Sequence, residues 1–169
     1  MKPILCCLLL CCTLLLTGCG ADSAAKEGVM IAEAGYTCRA DVTCGDGFSA
    51  QMALTVSGGG VFSAQMQTPK DLEGLCFSFD NGQMTVSYGE LKAPFSVGKT
   101  YGGIAEMLDS VFLVLTTAGR RAEKNGDLYS YSGVTNGDSF TATFNEEGFP
   151  LTLSVPSAPL QAEFSDWKY

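Results

Sequence analysis

The side chains that could do chemistry in this chain are its thiols and carboxylates, because it has eight Cys and 18 Asp and Glu but no His. Without imidazole, neither a Ser-His nor a Cys-His nucleophile pair can form, and zinc catalysis loses its commonest ligand. The adjacent Glu146 and Glu147 point apart in a predicted turn, so they do not form the carboxylate pair of a glycosidase. We therefore expect no catalytic residue, no metal site and no cofactor, and predict that the protein is not an enzyme.

The N-terminus has the pattern of an export signal. Lys2 precedes an apolar run from Ile4 to Leu16, whose thirteen residues suit a signal peptide and fall short of the about 20 that a membrane-spanning helix needs. The run ends in Leu16-Thr17-Gly18-Cys19, which resembles the lipobox of bacterial lipoproteins. That resemblance implies cleavage before Cys19 and transfer of diacylglycerol, carrying palmitate-type chains, to its thiol. The alternative is a plain secretory signal with an incidental Cys.

Three segments follow from this interpretation. Residues 1–18 are the signal, residues 19–35 are the lipidated Cys and a small, polar tether, and residues 36–169 form one domain. Two acyl chains hold a protein stably on a membrane, where a single chain is marginal. We expect a lipid-anchored protein on the extracytoplasmic face of the cell membrane.

Three thiols besides Cys19 remain after the signal is removed. Cys38 and Cys44 lie in one predicted strand, which separates their Cα atoms by about 20 Å, whereas a disulfide needs them within about 7 Å. Cys76 can pair with either of them, or all three thiols can be free. The sequence leaves both arrangements open.

The charge of the chain argues against two kinds of partner. The net charge is −8 and no basic stripe is present, so nucleic-acid binding is not expected. An acidic body also gains nothing from anionic lipid head groups. Membrane association is therefore expected to depend on the lipid anchor.

Apolar and polar residues alternate with period two through most of the chain after residue 35, which is typical of an antiparallel sheet with one dry face. Asn81-Gly82 and Asn136-Gly137 are strong hairpin signals. Residues 89–98 show no such pattern and are expected to be irregular. About nine strands are predicted, at residues 36–44, 48–57, 62–67, 75–79, 84–88, 128–135, 140–144, 149–155 and 160–164.

One helix is predicted, from Gly102 to Gly119, the latter a suitable residue to end it. Its apolar stripe covers about half of the circumference and is wider than that of a surface helix, about 100°. Leu113 is expected as an isolated exposed apolar residue on the polar side. The stripe comprises Ile104, Met107, Leu108, Val111, Phe112 and Leu115, and the polar side Glu106, Asp109, Ser110, Thr116 and Thr117.

These elements predict a mainly β protein with one long helix (α+β). Nine strands span about 43 Å and a helix is about 10–12 Å across, so a flat sheet would leave much of its dry face bare. We predict a curled antiparallel sheet, a half-open β-barrel with the helix as lid or plug. Its interior is either filled or open to an apolar ligand. The candidate cavity residues are Met52, Leu54, Phe62, Met66, Phe77, Phe79, Leu108, Phe112 and Phe144.

Two stretches resemble the LolA-like lipoproteins of Gram-positive bacteria. Thr68 to Phe95 contains a Pro-x-x-Leu-x-Gly segment, a hairpin and a Gly-x-Leu loop, and Phe140 to Pro156 is similar to the late hairpin of that family. The resemblance implies a half-open β-barrel that shelters acyl chains of lipids or lipoproteins, in trafficking or sensing. The alternative function is a non-enzymatic adaptor that holds or regulates a cell-envelope enzyme through its surface.

Overall fold

The structure is a computed structural model that describes residues 27–45, 47–58, 61–95 and 103–169. The predicted signal, Cys19 and the start of the tether lie outside the described residues. The twelve strands are β1 (Gly28–Met30), β2 (Tyr36–Cys44), β3 (Phe48–Gly58), β4 (Val61–Thr68), β5 (Cys76–Asp80), β6 (Gln83–Tyr88), β7 (Leu91–Phe95), β8 (Arg121–Asn125), β9 (Leu128–Thr135), β10 (Asp138–Phe144), β11 (Pro150–Val155) and β12 (Leu160–Lys168). Helix α1 spans Ile104–Leu115, and a 3-10 turn spans Lys70–Leu72.

All described strands belong to one antiparallel sheet, in the order β1-β8-β9-β10-β11-β12-β2-β3-β4-β5-β6-β7. Strands β2 to β7 form one meander, β8 to β12 form a second, and the pairing of β12 with β2 joins the two. Strands β1 and β7 lie at opposite edges and do not pair, so the sheet is not closed. Helix α1 follows β7 and precedes β8, so the chain crosses the dry face between the two meanders.

Contacts of α1 show that the sheet curls. The helix packs against β4 and also against β9, which lie six strand positions apart and would be about 29 Å apart in a flat sheet. A helix about 10–12 Å across reaches both only if the sheet wraps around it. The predicted fold class, a curled antiparallel sheet with one helix, is confirmed, and the helix lies inside the curl as a plug.

The predicted alternation and hairpins are present. In β2, Tyr36, Cys38, Ala40 and Val42 are buried on the inner face, while the residues between them face outward. Asn81 and Asn136 have φ values of 49° and 52°, each followed by a Gly with positive φ. Two consecutive left-handed residues are what a tight hairpin of this kind requires.

Three strands were not predicted, and all lie at or beside a sheet edge. Strand β1 has three residues, β7 contains Lys92 and Pro94, and β8 buries only Ala122. Short length, Lys and Pro are common on edge strands, where they discourage further pairing. These features remove the alternation that identifies a central strand, so the expectation of an irregular segment at residues 89–98 was wrong for β7.

The N-terminal segment also differs from the predicted tether. Residues 28–30 pair with β8, after which the Ile31 and Ala32 amides donate to the carbonyls of Arg120 (3.1 Å) and Gly148 (3.0 Å). Gly148 has φ +86°, and a Cβ there would collide with the Met30 carbonyl. The domain therefore includes residues 28–35, which cross from the edge of the sheet to β2 at its centre.

Helix α1 ends earlier than predicted, and two threonine hydroxyls form hydrogen bonds with the carbonyls of its final turn. Thr116 Oγ1 donates to the Phe112 carbonyl (2.7 Å), and Thr117 Oγ1 donates to the Leu113 carbonyl (3.0 Å). The Phe112 carbonyl also accepts from the Thr116 amide (2.8 Å), whereas the Thr117 amide donates to the Val114 carbonyl (3.4 Å) and leaves the Leu113 carbonyl to the Thr117 hydroxyl. Gly119, with φ +78°, lies in the turn that follows and leads into β8.

Phe112 is at the centre of the core. Its ring stacks on Phe62 of β4, with centroids 5.4 Å apart, and meets the edge of Phe164 of β12 at 5.6 Å. Phe112 is fully buried, whereas the next residue, Leu113, is 55% exposed as expected. One helix side chain thus contacts both meanders.

We predict that Phe112→Ala lowers the free energy of unfolding by about 3–5 kcal/mol, because it leaves a cavity among aromatic rings. The matched control Leu113→Ala should change it by about 0.5 kcal/mol or less, as an exposed site does. The measurement is urea unfolding of a chain beginning at residue 20, which retains every described contact. Equal losses in the two variants would contradict the central role of Phe112.

Candidate functional site

An apolar cavity lies inside the curled sheet, among the residues that the structure describes. Its volume is about 260 Å³, and it lies between the first turn of α1 and the inner faces of β3 to β6. Glu106 is the ionisable residue of its lining. The lining comprises Phe48, Met52, Met66, Leu72, Leu75, Phe77, Met84, Gly103, Ile104, Ala105 and Glu106.

The register of the strands determines which side chains form the floor of this cavity. Met52 and Met66 are directly opposed across β3 and β4, and both are buried on the inner face. Phe77 of β5 and Met84 of β6 lie on the same face and are only half-buried. Long, unbranched Met side chains adapt to irregular space, so this floor can adjust to a ligand.

The loop between β4 and β5 supplies one wall. It folds back along β4, where the Met66 amide donates to the Leu75 carbonyl (2.8 Å) and the Gly74 amide donates to the Met66 carbonyl (2.9 Å). The Leu75 amide in turn donates to the Leu72 carbonyl (3.0 Å). These bonds hold Leu72 and Leu75 against the strands.

The first turn of α1 supplies the opposite wall and the polar groups. Gly103 is the N-cap and offers no side chain to the first-turn amides. Ala105 is buried, whereas Ile104 and Glu106 are half-buried. Glu106 Oε2 is inaccessible to solvent and has no hydrogen-bond partner among the described residues. The cavity is therefore apolar except for this helix end and one carboxylate.

The predicted cavity residues divide into two groups. Met52, Met66 and Phe77 line the cavity. The other six lie in the packed core and line no part of it: Leu54, Phe62, Phe79, Leu108, Phe112 and Phe144. The helix fills the middle of the sheet, so the interior is mostly packed, with one open region near the start of α1.

Several lining residues were not among the predicted ones. Phe48 and Met84 fall on the dry face of the alternation, so the pattern was sufficient to find them. Leu72 and Leu75 belong to a connection without periodicity, and only the fold-back onto β4 places them. Glu106 was assigned to the polar side of the helix, because sequence does not show how far the sheet wraps around α1.

The three thiols of the domain are free. Cys38 is buried on the inner face, and burial raises the pKa of its thiol to about 12, which keeps it unreactive. Cys76 lies on the outer face, 3.7 Å from the Ser78 hydroxyl. Cys44 Sγ is 3.5 Å from the Ala158 carbonyl oxygen. Because Cys38 and Cys76 lie on opposite faces of the sheet, they are not placed to bond.

Other features of the described ranges are less suited to a ligand. Two larger hollows, about 480 and 350 Å³, lie on the outer face of the sheet and are lined mainly by polar side chains such as Thr43, Gln161 and Thr37. No cluster of His, Cys, Asp and Glu there could hold a metal ion. No described helix has the length and apolar content that a membrane crossing requires.

Asp109 lies one turn after Glu106, and the pKa of its carboxyl group is raised above the usual value. It is half-buried beside a narrow crevice of about 10 Å³ that Phe62 and Phe112 also border. Burial, and secondly repulsion from Glu106, raise the pKa of Asp109 to about 6. A raised pKa means that the folded state binds this proton more tightly than the unfolded state. Asp109 thus stabilises the fold at low pH, and the contribution is lost as pH rises through about 6.

We predict that Asp109→Asn changes stability little at pH 4, where Asp109 carries its proton. At pH 7.5 the variant should be more stable than the original chain by about 1 kcal/mol, a value reduced for the partial exposure of the carboxyl. Urea unfolding at the two pH values measures the difference. A stability difference independent of pH would contradict this assignment.

Comparison with known proteins finds similarity among solved structures. No family model matches the chain, and no curated protein matches it. Among solved structures, it is similar to a LolA superfamily protein from Nitrosomonas europaea, with a TM-score of 0.43 and 8% sequence identity, over 83% of this chain and 88% of that one.

Proposed function

We propose that this protein binds an apolar chain, such as an acyl chain of a lipid or lipoprotein, in the cavity beneath the start of α1. Its role is non-enzymatic, in trafficking or sensing, on the extracytoplasmic face of the cell membrane, where a lipid on Cys19 holds it. The supporting observation is the apolar cavity of about 260 Å³ between the first turn of α1 and the inner face of the sheet.

Such a cavity is a site rather than a packing defect. Protein interiors pack as densely as organic crystals and seldom leave voids larger than a water molecule. This cavity is not an enclosed void: Phe48 of its lining is 41% exposed and Phe77 is only half-buried, so it opens to the surface and a ligand can enter. Because nothing but Glu106 and the helix end offers water a partner, an apolar ligand fits the lining better than solvent does.

The volume limits how much of a chain can enter. At about 30 Å³ for each small group, the share of volume that water takes in the liquid, the cavity holds about eight or nine carbon atoms. A longer chain would continue over Val86, Tyr88 and Leu91, which lie on the same face of β6 and β7 as Met84. Tyr88 is 53% and Leu91 75% exposed. These residues give the rest of the chain an apolar path.

The adaptor is the second candidate function. Tyr88 and Leu91 are directly opposed beside the free edge of β7, and exposed apolar residues at a sheet edge also suit a protein partner. An adaptor of this kind would use that surface and leave the cavity empty. Binding of a chain in the cavity therefore separates the two functions.

We predict that Phe77→Asp reduces binding of a decyl-chain probe at least tenfold, because it puts a charge on the floor of the cavity. Phe77 is only half-buried, so the variant should still fold. The matched control is Ser78→Asp, one residue away on the outer face, which should bind as the original chain does. The measurements are probe titration and mass spectrometry of lipid bound to residues 20–169. Unchanged binding by the Phe77 variant, or an empty protein that ignores the probe, would contradict the proposal.

We predict that the mature protein begins at Cys19 and carries a diacylglyceryl group, since a thioether-linked lipid fits the lipobox. Intact-mass measurement of protein extracted from membranes tests this directly. Cys19→Ser should abolish both the mass increase and the cleavage before residue 19. A mature chain without added lipid would refute the anchor while leaving the cavity proposal untouched.

A further inference from the structure

Glu106 is an anomaly in the cavity. It is the ionisable side chain of an otherwise apolar lining, and its Oε2 atom is buried without a hydrogen-bond partner among the described residues. The large majority of buried side-chain polar atoms in proteins have such a partner. A carboxylate oxygen accepts hydrogen bonds and cannot donate them when ionised. The carboxylate therefore lacks a donor, and a ligand can supply one when the side chain turns Oε2, which has no accessible surface here, toward the cavity.

The start of α1 favours a ligand head group of the opposite charge, an anion. Gly103, Ile104, Ala105 and Glu106 line the cavity, and the first-turn amides of a helix have no intrahelical partners. Together with the helix dipole, they amount to about half a positive charge. By itself this end would favour an anionic head group, such as the carboxylate of a fatty acid.

The balance of charge decides between these preferences. Glu106 carries a full negative charge when ionised, about twice the opposite charge of the helix end. Asp109 follows it by one turn, and the whole chain has a net charge of −8. Among the described residues, the polar end of the cavity is therefore net negative and repels a free carboxylate.

We infer that the ligand of this cavity ends in a cationic, hydrogen-bond-donating head group, an ammonium on an alkyl chain, and that the Glu106 carboxylate turns toward the cavity to accept its hydrogen bond. This inference rests on the proposed binding of an apolar chain and specifies its substrate class. The chain occupies the Met52, Met66 and Phe77 floor, and the head group lies beside the first turn of α1. Free fatty acids are selected against.

The test compares three probes that share a ten-carbon chain: decylammonium, decanol and decanoate, each titrated at pH 7.5 into residues 20–169. The original chain should bind decylammonium most tightly and decanoate most weakly, with at least a tenfold difference between them. Glu106→Gln should reduce that difference to about twofold or less, since it removes the charge and retains the shape of the side chain. The matched control is Asp71→Asn, which changes the net charge equally from an exposed site outside the lining.

Each outcome separates this inference from the proposed function. If all three probes bind equally well and Glu106→Gln changes nothing, the cavity binds chains but Glu106 does not select the head group. If decanoate binds most tightly, the helix end outweighs Glu106 and the inference is overturned. If Asp71→Asn acts like Glu106→Gln, overall charge and not the site sets the preference. If no probe binds, both the proposed function and the inference fail.

Discussion

The packing of Phe112 between two parts of one sheet is the contact on which the rest of this structure depends. Phe62 belongs to the first meander and Phe164 to the second, and the Phe112 ring touches both. Aromatic pairs of this geometry add about 0.5–1.5 kcal/mol each beyond the burial of their area. Because the helix must connect the two meanders, its apolar stripe lies where the curled sheet can cover it. The sheet in turn has no second layer to cover its dry face, so each element supplies the burial that the other lacks.

Position along the helix explains why a cavity remains at one end. From Leu108 to Leu115, large buried side chains of α1 fill the curl. The first turn has smaller or less inserted residues, Gly103, Ile104 and Ala105, and the inner face opposite them is built from Met and Phe on β3 to β6. Twelve residues extend about 18 Å, and so the helix cannot fill the whole interior of a twelve-stranded sheet. Residual space at the start of α1 is the result.

The carboxylate of Glu106 distinguishes this cavity from a purely apolar one. A fully apolar cavity would accept chains without regard to their head groups, whereas one carboxylate in a water-poor lining discriminates strongly, because low local polarity strengthens charge interactions. Glu106 and the first-turn amides of α1 are the main polar groups that the described lining offers to a ligand.

Local patterns in the sequence determined the central strands, the two Asn-Gly hairpins and the helix, because alternation, turn chemistry and the wide apolar stripe act within a few residues. They also indicated that the sheet must curl, since one helix is too narrow to cover the dry face of about nine strands in a flat sheet. The edge strands, the wall formed by Leu72 and Leu75, and the place of Glu106 were decided by tertiary structure. Edge strands lack a dry-face pattern, and a loop has no period. Met52 lines the cavity, whereas Leu54, on the same face two residues away, lies in the packed core. This difference depends on how far α1 extends along the sheet, which the whole chain determines and no local stretch of it does.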